Sequence, residues 1–129
     1  MTICIDTNAY SALKRGNTKV LQILENSSKI IVSTVVIGEL LAGFNIGSKY
    51  QENITELKKF LNQHGVELKA PNFEIAERYG KTVYDLRQKG KPIPTNDIWI
   101  AATSLETGSK LLSNDSHFNQ IQGLQIYSF

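Results

Sequence analysis

The chain opens with the stretch MTICIDTN, residues 1–8, in which a short apolar run stops at an acid. A continuous run such as Ile3–Ile5 is typical of a strand that is buried on both faces of a sheet. Asp6 ends the run, and Thr7 and Asn8 bring side chains that can cap a helix. The opening residues therefore predict a buried strand that leads directly into a helix.

The same succession of strand and helix recurs along the rest of the chain. Four further strands are predicted, at residues 29–33, 66–68, 110–113 and 124–126. Helices are predicted at residues 19–26, after a cap at Ser33-Thr34, at residues 47–63, after a cap at Asn72, and from Thr95 or Asn96 to Gly108. In the helix after Asn72, the residues expected to face the core are Ile75, Ala76, Tyr79, Gly80, Val83 and Leu86. Strands that alternate with helices indicate a parallel sheet with helices on both faces.

Residues 30–41 allow two interpretations. Their β-branched side chains are compatible with one long strand. However, Ser33 and Thr34 can cap a helix, and the apolar residues from Val36 to Phe44 fall at helical spacing. We favour a strand, a cap and then a helix, in that order.

Length and composition limit the class of protein. With 129 residues the chain is predicted to form one domain, residues 1–129, and its 41% hydrophobic and 20% charged residues are ordinary for a soluble globular protein. No apolar run approaches the ~18 residues of a membrane span, and the N-terminus lacks the basic region of a signal peptide. The only cysteine, Cys4, cannot form an internal disulfide, which fits a cytoplasmic location. The net charge of +2 is too small to indicate nucleic-acid binding, which would need local basic patches.

Four acidic residues fall near the carboxyl ends of predicted strands. Asp6 and Asp115 follow strands closely, whereas Glu39 and Asp97 lie within about one turn of a helix start. In open parallel sheets, ligands bind outside the carboxyl ends of the strands, near the point where strand order reverses. The four carboxylates are therefore expected to meet in one pocket.

A cluster of four carboxylates repels itself unless a cation is present. Carboxylate oxygens without neighbouring cysteine or histidine favour Mg²⁺ and Mn²⁺. Two such ions ~3.5–4 Å apart can activate a water and stabilise the leaving oxygen in phosphodiester hydrolysis. Crowding is also expected to raise the pKa values of some of the four acids.

Each acid taken alone also has a purely structural interpretation. Asp6 can be an ordinary helix cap, and Asp97 is favoured by the helix dipole whatever its role. Asp115 lies in a polar loop, where aspartate is a common turn residue. Glu39 is more unusual, because an unpaired buried acid is costly.

The segments around the acids decide between these interpretations. They are MTICIDTNAY (1–10), STVVIGELLAG (33–43), KPIPTNDIWIAATSLETG (91–108) and KLLSNDSHFNQI (110–121). In their order and separation, the four segments resemble the PIN-domain family, in particular its VapC-type toxins. The resemblance extends over essentially the whole chain.

The resemblance implies an α/β fold, namely a three-layer α/β/α sandwich around a central parallel sheet of four or five strands. It also implies a metal-dependent endoribonuclease that hydrolyses RNA by metal-activated water, with Mg²⁺ or Mn²⁺, and leaves a 5′-phosphate and a 3′-hydroxyl. Such proteins act as the toxin of a toxin–antitoxin pair. Family members usually form homodimers and are inhibited by a cognate antitoxin, so both partners are expected here, with the helices between residues 34 and 63 as candidate surfaces.

By motif match, the metal-binding and catalytic acids of the family correspond to Asp6, Glu39, Asp97 and Asp115. Asp6 and Asp97 are expected to hold the principal ion. Glu39 would complete the coordination shell, often through water, and Asp115 would orient water or a second ion.

Several neighbouring residues have supporting roles under the same resemblance. Small polar side chains that cap helices or orient the acids are expected at Asn8, Asn96 and Ser113. Histidine is common in the family at His117, but without a metal-binding signature nearby this residue is not assigned as a ligand or a base.

A basic stretch, Arg87, Lys89 and Lys91, leads into the predicted helix that carries Asp97. It can contact RNA phosphates at the pocket mouth. It can equally be a solvated helix end, where cations are favoured in any case. Trp99, beside Asp97, is expected to be a core or dimer contact rather than a platform for stacked bases.

Two other classes of function compete with this hypothesis. An RNA-binding PIN module without catalysis would be expected to lack one of the four acids, and none is missing. A phosphatase or phosphotransfer domain could use Asp6 as a phosphate acceptor, but haloacid-dehalogenase-like phosphatases usually need a second aspartate at the position of Asn8, and response-regulator receivers need an acidic pair after the first strand. A kinase or GTPase is excluded because no Gly-x-x-x-x-Gly-Lys loop exists.

Overall fold

The computed structural model describes residues 1–129 and contains five strands and six α-helices. The strands are β1 (Thr2–Ile5), β2 (Lys29–Ser33), β3 (Val66–Lys69), β4 (Lys110–Ser113) and β5 (Ile126–Ser128). The helices are α1 (Thr7–Lys14), α2 (Thr18–Glu25), α3 (Thr34–Ile46), α4 (Tyr50–Leu61), α5 (Phe73–Lys89) and α6 (Thr95–Thr107). A short 3₁₀ helix, Ser116–Gln120, follows β4. The predicted α/β fold class, a parallel sheet between layers of helices, is confirmed.

All five strands are parallel and lie in the order β3-β2-β1-β4-β5. Strand β1 is central, with Ile3 paired to Ile30 of β2 on one side and to Lys110 of β4 on the other. Strands β2 and β3 are added on one side of β1, and β4 and β5 are then added on the other side. Strand order therefore reverses between β1 and β4, and the loops after these two strands open at the same edge of the sheet.

The core lies on both faces of the central strands. Three consecutive residues of β1, Ile3, Cys4 and Ile5, are fully buried, as are Leu111 and Leu112 of β4. Because successive side chains of a strand point to opposite faces, burial of neighbours means that helices cover both faces of the sheet. This explains why the first strand is a continuous apolar run rather than an alternating one.

The segment 30–41 adopts the strand–cap–helix arrangement. Strand β2 ends at Ser33, whose side-chain oxygen accepts a hydrogen bond of 3.1 Å from the amide of Val35, and α3 begins at Thr34. Strand propensity continues beyond Ser33, but the capping hydroxyl satisfies a backbone amide that a helix start otherwise leaves without a partner.

Three predictions about elements need correction. The last strand is predicted at residues 124–126 but lies at Ile126–Ser128, because a turn through Gly123, with φ of 82°, occupies the preceding residues. The helix predicted at residues 47–63 is shorter, because α3 extends to Ile46 and α4 begins only at Tyr50. In α5, Ala76 and Gly80 are exposed rather than buried, since α5 packs mainly on α6 and not on the sheet.

Cys4 is a packing residue. Its side chain is fully buried, and burial raises the pKa of the thiol to about 12. Because only the thiolate reacts or binds metal readily, this cysteine is chemically inert in the folded protein. No helix combines the length and apolar character that crossing a bilayer requires.

Leu111→Ala should lower the free energy of unfolding by about 2–5 kcal/mol, because it leaves a cavity in the fully buried central strand β4. The matched control is Leu68→Ala on the edge strand β3, where the side chain is 51% exposed and the decrease should be about 1 kcal/mol or less. Urea denaturation measures both. Equal decreases would contradict the assignment of β4 to the core.

Candidate metal centre

The four predicted acids line a single cleft of about 190 Å³ at the carboxyl edge of the sheet. Asp6 lies at the end of β1, and Asp115 follows β4 by two residues. Glu39 comes from α3 and Asp97 from the first turn of α6. The remaining lining residues are Thr7, Asn8 and Ile100. Segments from four parts of the chain therefore converge as the topology predicted.

Asp6 is both a helix cap and a wall of the cleft. Its Oδ1 accepts a hydrogen bond of 2.7 Å from the amide of Ala9 in α1, and its Oδ2 accepts one of 2.6 Å from the hydroxyl of Ser113. The side chain is only 4% exposed. Asp6 is therefore the cap of α1 and, at the same time, one of the acids that line the cleft. Asn8 does not cap α1, because Asp6 occupies that position.

Glu39 is held from two neighbouring elements. The hydroxyl of Thr7 donates a hydrogen bond of 2.6 Å to Oε1, and the amide of Asn96 donates one of 3.4 Å to Oε2. The side chain is half-buried. The acid on the apolar helix α3 therefore has partners, which removes most of the cost of an unpaired acid.

Asp97 and Asp115 face each other across the imidazole of His117. The Nδ1 atom of His117 lies 3.1 Å from Oδ2 of Asp97 and 3.4 Å from Oδ1 of Asp115. Asp115 also caps the 3₁₀ helix, because Oδ1 accepts a hydrogen bond of 2.9 Å from the amide of His117. The turn therefore places the imidazole of His117 beside the carboxylate of Asp115, two residues earlier in the chain. Sequence reasoning did not assign His117 to the site, and the Asp-x-His spacing at a capped turn is the signal that it missed.

The pKa values of Asp6 and Asp97 are both raised above the ordinary value of 3.8. Burial is the largest cause for both carboxyls, and repulsion from the other acids of the cleft adds to it. Hydrogen bonds lower the two pKa values in part: those with Ser113 and Ala9 act on Asp6, and the one with His117 acts on Asp97. The expected rise is therefore present, but desolvation contributes more than the crowding from which it was predicted.

The three small polar residues make different contacts. Ser113 touches two acids, because its hydroxyl oxygen also accepts a hydrogen bond of 3.0 Å from the amide of Asp115. Asn96 reaches Glu39, as described above. Asn8 lines the cleft, and its Nδ2 lies 3.5 Å from Oδ1 of Asn114, so that it links the first turn of α1 to the loop after β4 rather than contacting an acid.

The family model of the PIN domain matches residues 3–124. The chain belongs to the PIN-domain family. Curated relatives of this PIN domain include Ribonuclease VapC1 of Haemophilus influenzae, 29% identical, with 97% of this chain and 96% of the relative covered. Ribonuclease VapC1 of Rickettsia felis is 31% identical, with 98% and 95% covered.

Solved structures give the same result for the fold. The PIN domain superposes with a TM-score of 0.89 on a chain of VapBC2 from Rickettsia felis bound to a DNA fragment from their promoter, 26% identical, with 100% of this chain and 99% of that chain covered. It superposes with a TM-score of 0.84 on a chain of VapBC-1 from Haemophilus influenzae, 28% identical, with 99% and 98% covered.

The donor set of the cleft fits a divalent metal ion. Asp97, Asp115 and His117 each present one ligand atom, and these atoms all lie within 4.8 Å of one another. Asp6 and Glu39 line the same cleft with further carboxylate oxygens. Oxygen-rich sites suit Mg²⁺ and Mn²⁺, and no cysteine is present that would favour softer metals.

The other sequence predictions near the cleft have mixed outcomes. Trp99 is half-buried and stacks on Tyr79 of α5, with ring centroids 4.0 Å apart, so it packs α6 against α5 and has one ring face occupied. Arg87 and Lys89, in the last turn of α5, and Lys91, just after it, are exposed. Lys89 donates a hydrogen bond of 3.0 Å to the carbonyl of Gln120, which ties this helix end to the segment after β4.

Divalent cations should raise the melting temperature of the protein more at about pH 7.5 than at about pH 4.5. A raised pKa means that Asp6 and Asp97 contribute full stability below their ordinary value of 3.8, and that this contribution is lost as pH rises through the raised pKa. Cations that bind the ionised acids offset this loss, whereas protons compete with them at lower pH. Differential scanning fluorimetry with and without Mn²⁺ measures the effect. A rise of equal size at both pH values would show that the cation binds elsewhere.

Proposed function

We propose that this PIN domain is a Mg²⁺- or Mn²⁺-dependent endoribonuclease that acts as the toxin of a toxin–antitoxin pair. The observation that carries the proposal is the convergence of four acids from four segments in one cleft at the switch point of the sheet. The relatives named Ribonuclease VapC match this chain over nearly its whole length, which supports the same activity here. The family match also supports treating residues 1–129 as one domain.

The acids of the cleft would hold the metal with different rigidity. Asp6 is buried and oriented by two hydrogen bonds, so its carboxylate is already positioned to bind a metal ion. Asp97 lines the same cleft, and we assign these two acids to the principal ion. Glu39, oriented by Thr7, would complete the coordination shell, often through water, and Asp115 would orient water or a second ion. When bound, the metal supplies charge neutralisation for the phosphodiester and acidifies water.

RNA is the proposed substrate, with the basic end of α5 as a candidate contact for its phosphates. Lys91 precedes the start of α6, the helix that carries Asp97, by four residues, so the basic stretch leads directly to the cleft edge. All three side chains are exposed, but that of Lys89 is hydrogen-bonded to the carbonyl of Gln120, whereas those of Arg87 and Lys91 make no hydrogen bond or ion pair. Arg87 and Lys91 are therefore the preferred candidates for phosphate contacts.

An antitoxin and a second copy of the chain are the proposed protein partners. The Rickettsia felis and Haemophilus influenzae neighbours are VapBC assemblies, which supports a cognate antitoxin for this PIN domain. Helices α3 and α4 are the candidate surfaces for the antitoxin and for a homodimer. Ile46, at the end of α3, is 89% exposed, and this makes it a residue that a partner would cover.

Asp97→Asn should reduce metal-dependent RNA cleavage by about 100-fold or more, because it removes a charged ligand from the cleft. Purified protein without antitoxin, incubated with Mg²⁺ or Mn²⁺, should cleave RNA, and EDTA should stop the reaction. Asp85→Asn is the matched control, since Asp85 pairs with Lys81 on the surface of α5. Circular dichroism checks that both variants fold. Undiminished cleavage by folded Asp97→Asn would refute the assignment of the cleft as the active site.

Arg87→Ala and Lys91→Ala should each weaken RNA binding at low salt. Removing one cation that binds a phosphate should reduce the slope of log affinity against log salt by about 0.7 for single-stranded RNA. Fluorescence anisotropy with labelled RNA in EDTA, which prevents cleavage, measures the slopes. Lys19→Ala removes an equal charge from α2 and should leave the slope unchanged. Slopes that match wild type in both test variants would exclude this helix end from the RNA-binding surface.

A further inference from the structure

His117 is the only histidine beside the acidic cleft. Its ring is 49% exposed on the solvent side of the acids, and its Nδ1 atom points between Asp97 and Asp115 rather than away from them. The turn that places it there is fixed by Asp115, which accepts a hydrogen bond from the backbone amide of the same histidine. Local structure thus holds the imidazole beside two carboxylates, one close in sequence and one distant.

The distances between these donor atoms match those of neighbouring ligands on one ion. In an octahedral site with bonds of about 2.1 Å, adjacent ligand atoms lie about 3 Å apart. The Nδ1 atom lies 3.1 Å from an oxygen of Asp97 and 3.4 Å from an oxygen of Asp115. All three donor atoms lie within 4.8 Å of one another, so these three side chains could hold one ion.

We propose that His117 is a metal ligand through Nδ1, together with Asp97 and Asp115, at the position of the second ion to which Asp115 is assigned above, and that it makes this position selective for Mn²⁺ over Mg²⁺. The inference rests on the proposed metal-dependent function and adds the identity of one ligand and of the preferred ion. Imidazole nitrogen binds transition metals well, whereas Mg²⁺ prefers oxygen ligands and keeps its waters. A site of carboxylates alone would discriminate less between the two ions.

The competing interpretation is that His117 only donates a hydrogen bond to Asp97 and orients that carboxylate. Both interpretations predict weaker activity when His117 is replaced, so activity does not separate them. They differ in whether nitrogen is bonded directly to the metal. Mn²⁺ is paramagnetic, and a ¹⁴N nucleus in its coordination shell modulates the electron spin echo.

The experiment is electron spin echo spectroscopy of Mn²⁺ bound to the full chain, purified without a polyhistidine tag. The chain contains two histidines, and the other one, His64, is exposed in the segment between α4 and β3. His64→Gln is therefore the matched control, and His117→Gln is the test variant that retains a polar side chain. In His64→Gln a single imidazole remains, so its spectrum is informative even if His117→Gln folds poorly.

The expected result is ¹⁴N modulation in wild type and in His64→Gln, and its loss in His117→Gln. Modulation that is absent from wild type, or retained in folded His117→Gln, would overturn the proposal. Metal-dependent RNA cleavage by a wild-type protein without ¹⁴N modulation would overturn this inference and leave the proposed function standing. Failure of wild type to bind either Mn²⁺ or Mg²⁺ would overturn both.

Affinity provides a second measurement of the same proposal. His117→Gln should weaken Mn²⁺ binding by about ten-fold or more and Mg²⁺ binding by less, so that the ratio of the two dissociation constants moves toward unity. Competition between the ions, followed through the signal of free Mn²⁺, measures the ratio. An unchanged ratio with both affinities reduced equally would indicate a histidine that only orients Asp97, and would contradict direct ligation.

Discussion

The burial of Asp6 at the end of the central strand is the constraint on which the rest of the site depends. A carboxylate that is 4% exposed must be hydrogen-bonded, and its two oxygens take one donor from the start of α1 and one from the end of β4. The same contacts join the two strands between which strand order reverses. One side chain therefore caps the first helix, links β1 to β4 and lines the cleft.

The cleft is an electrostatically costly arrangement that its neighbours only partly compensate. Burial raises the pKa values of Asp6 and Asp97, and the remaining acids add repulsion. Hydrogen bonds with the hydroxyls of Thr7 and Ser113 and with the imidazole of His117 offset part of this cost, each from a different segment. Such preorganised acids are suited to binding a cation, because binding relieves a repulsion that the fold has already imposed.

Local signals in the sequence are sufficient for most of the elements. The apolar run at Ile3–Ile5 and the cap at Ser33 depend on residues that are adjacent in the chain, and both predictions agree with the structure. The prediction for β5 is displaced by two residues, because strand pairing with Leu111 and the turn at Gly123 decide where the ladder begins. The predicted burial of Ala76 and Gly80 is wrong because the buried face of a helix depends on its packing partner.

By itself, the sequence determined the α/β class and the four acidic positions, because hydrophobic runs, helix caps and acids after strands are short-range features. Tertiary structure alone decided how the acids are held and which other residues join them. The hydroxyl of Ser113 lies 107 residues from Asp6 in the chain, and His117 meets Asp97 across 20 residues. Contacts of that separation arise only when the strands are paired side by side, since no local pattern encodes the distance between two loops that the sheet brings together.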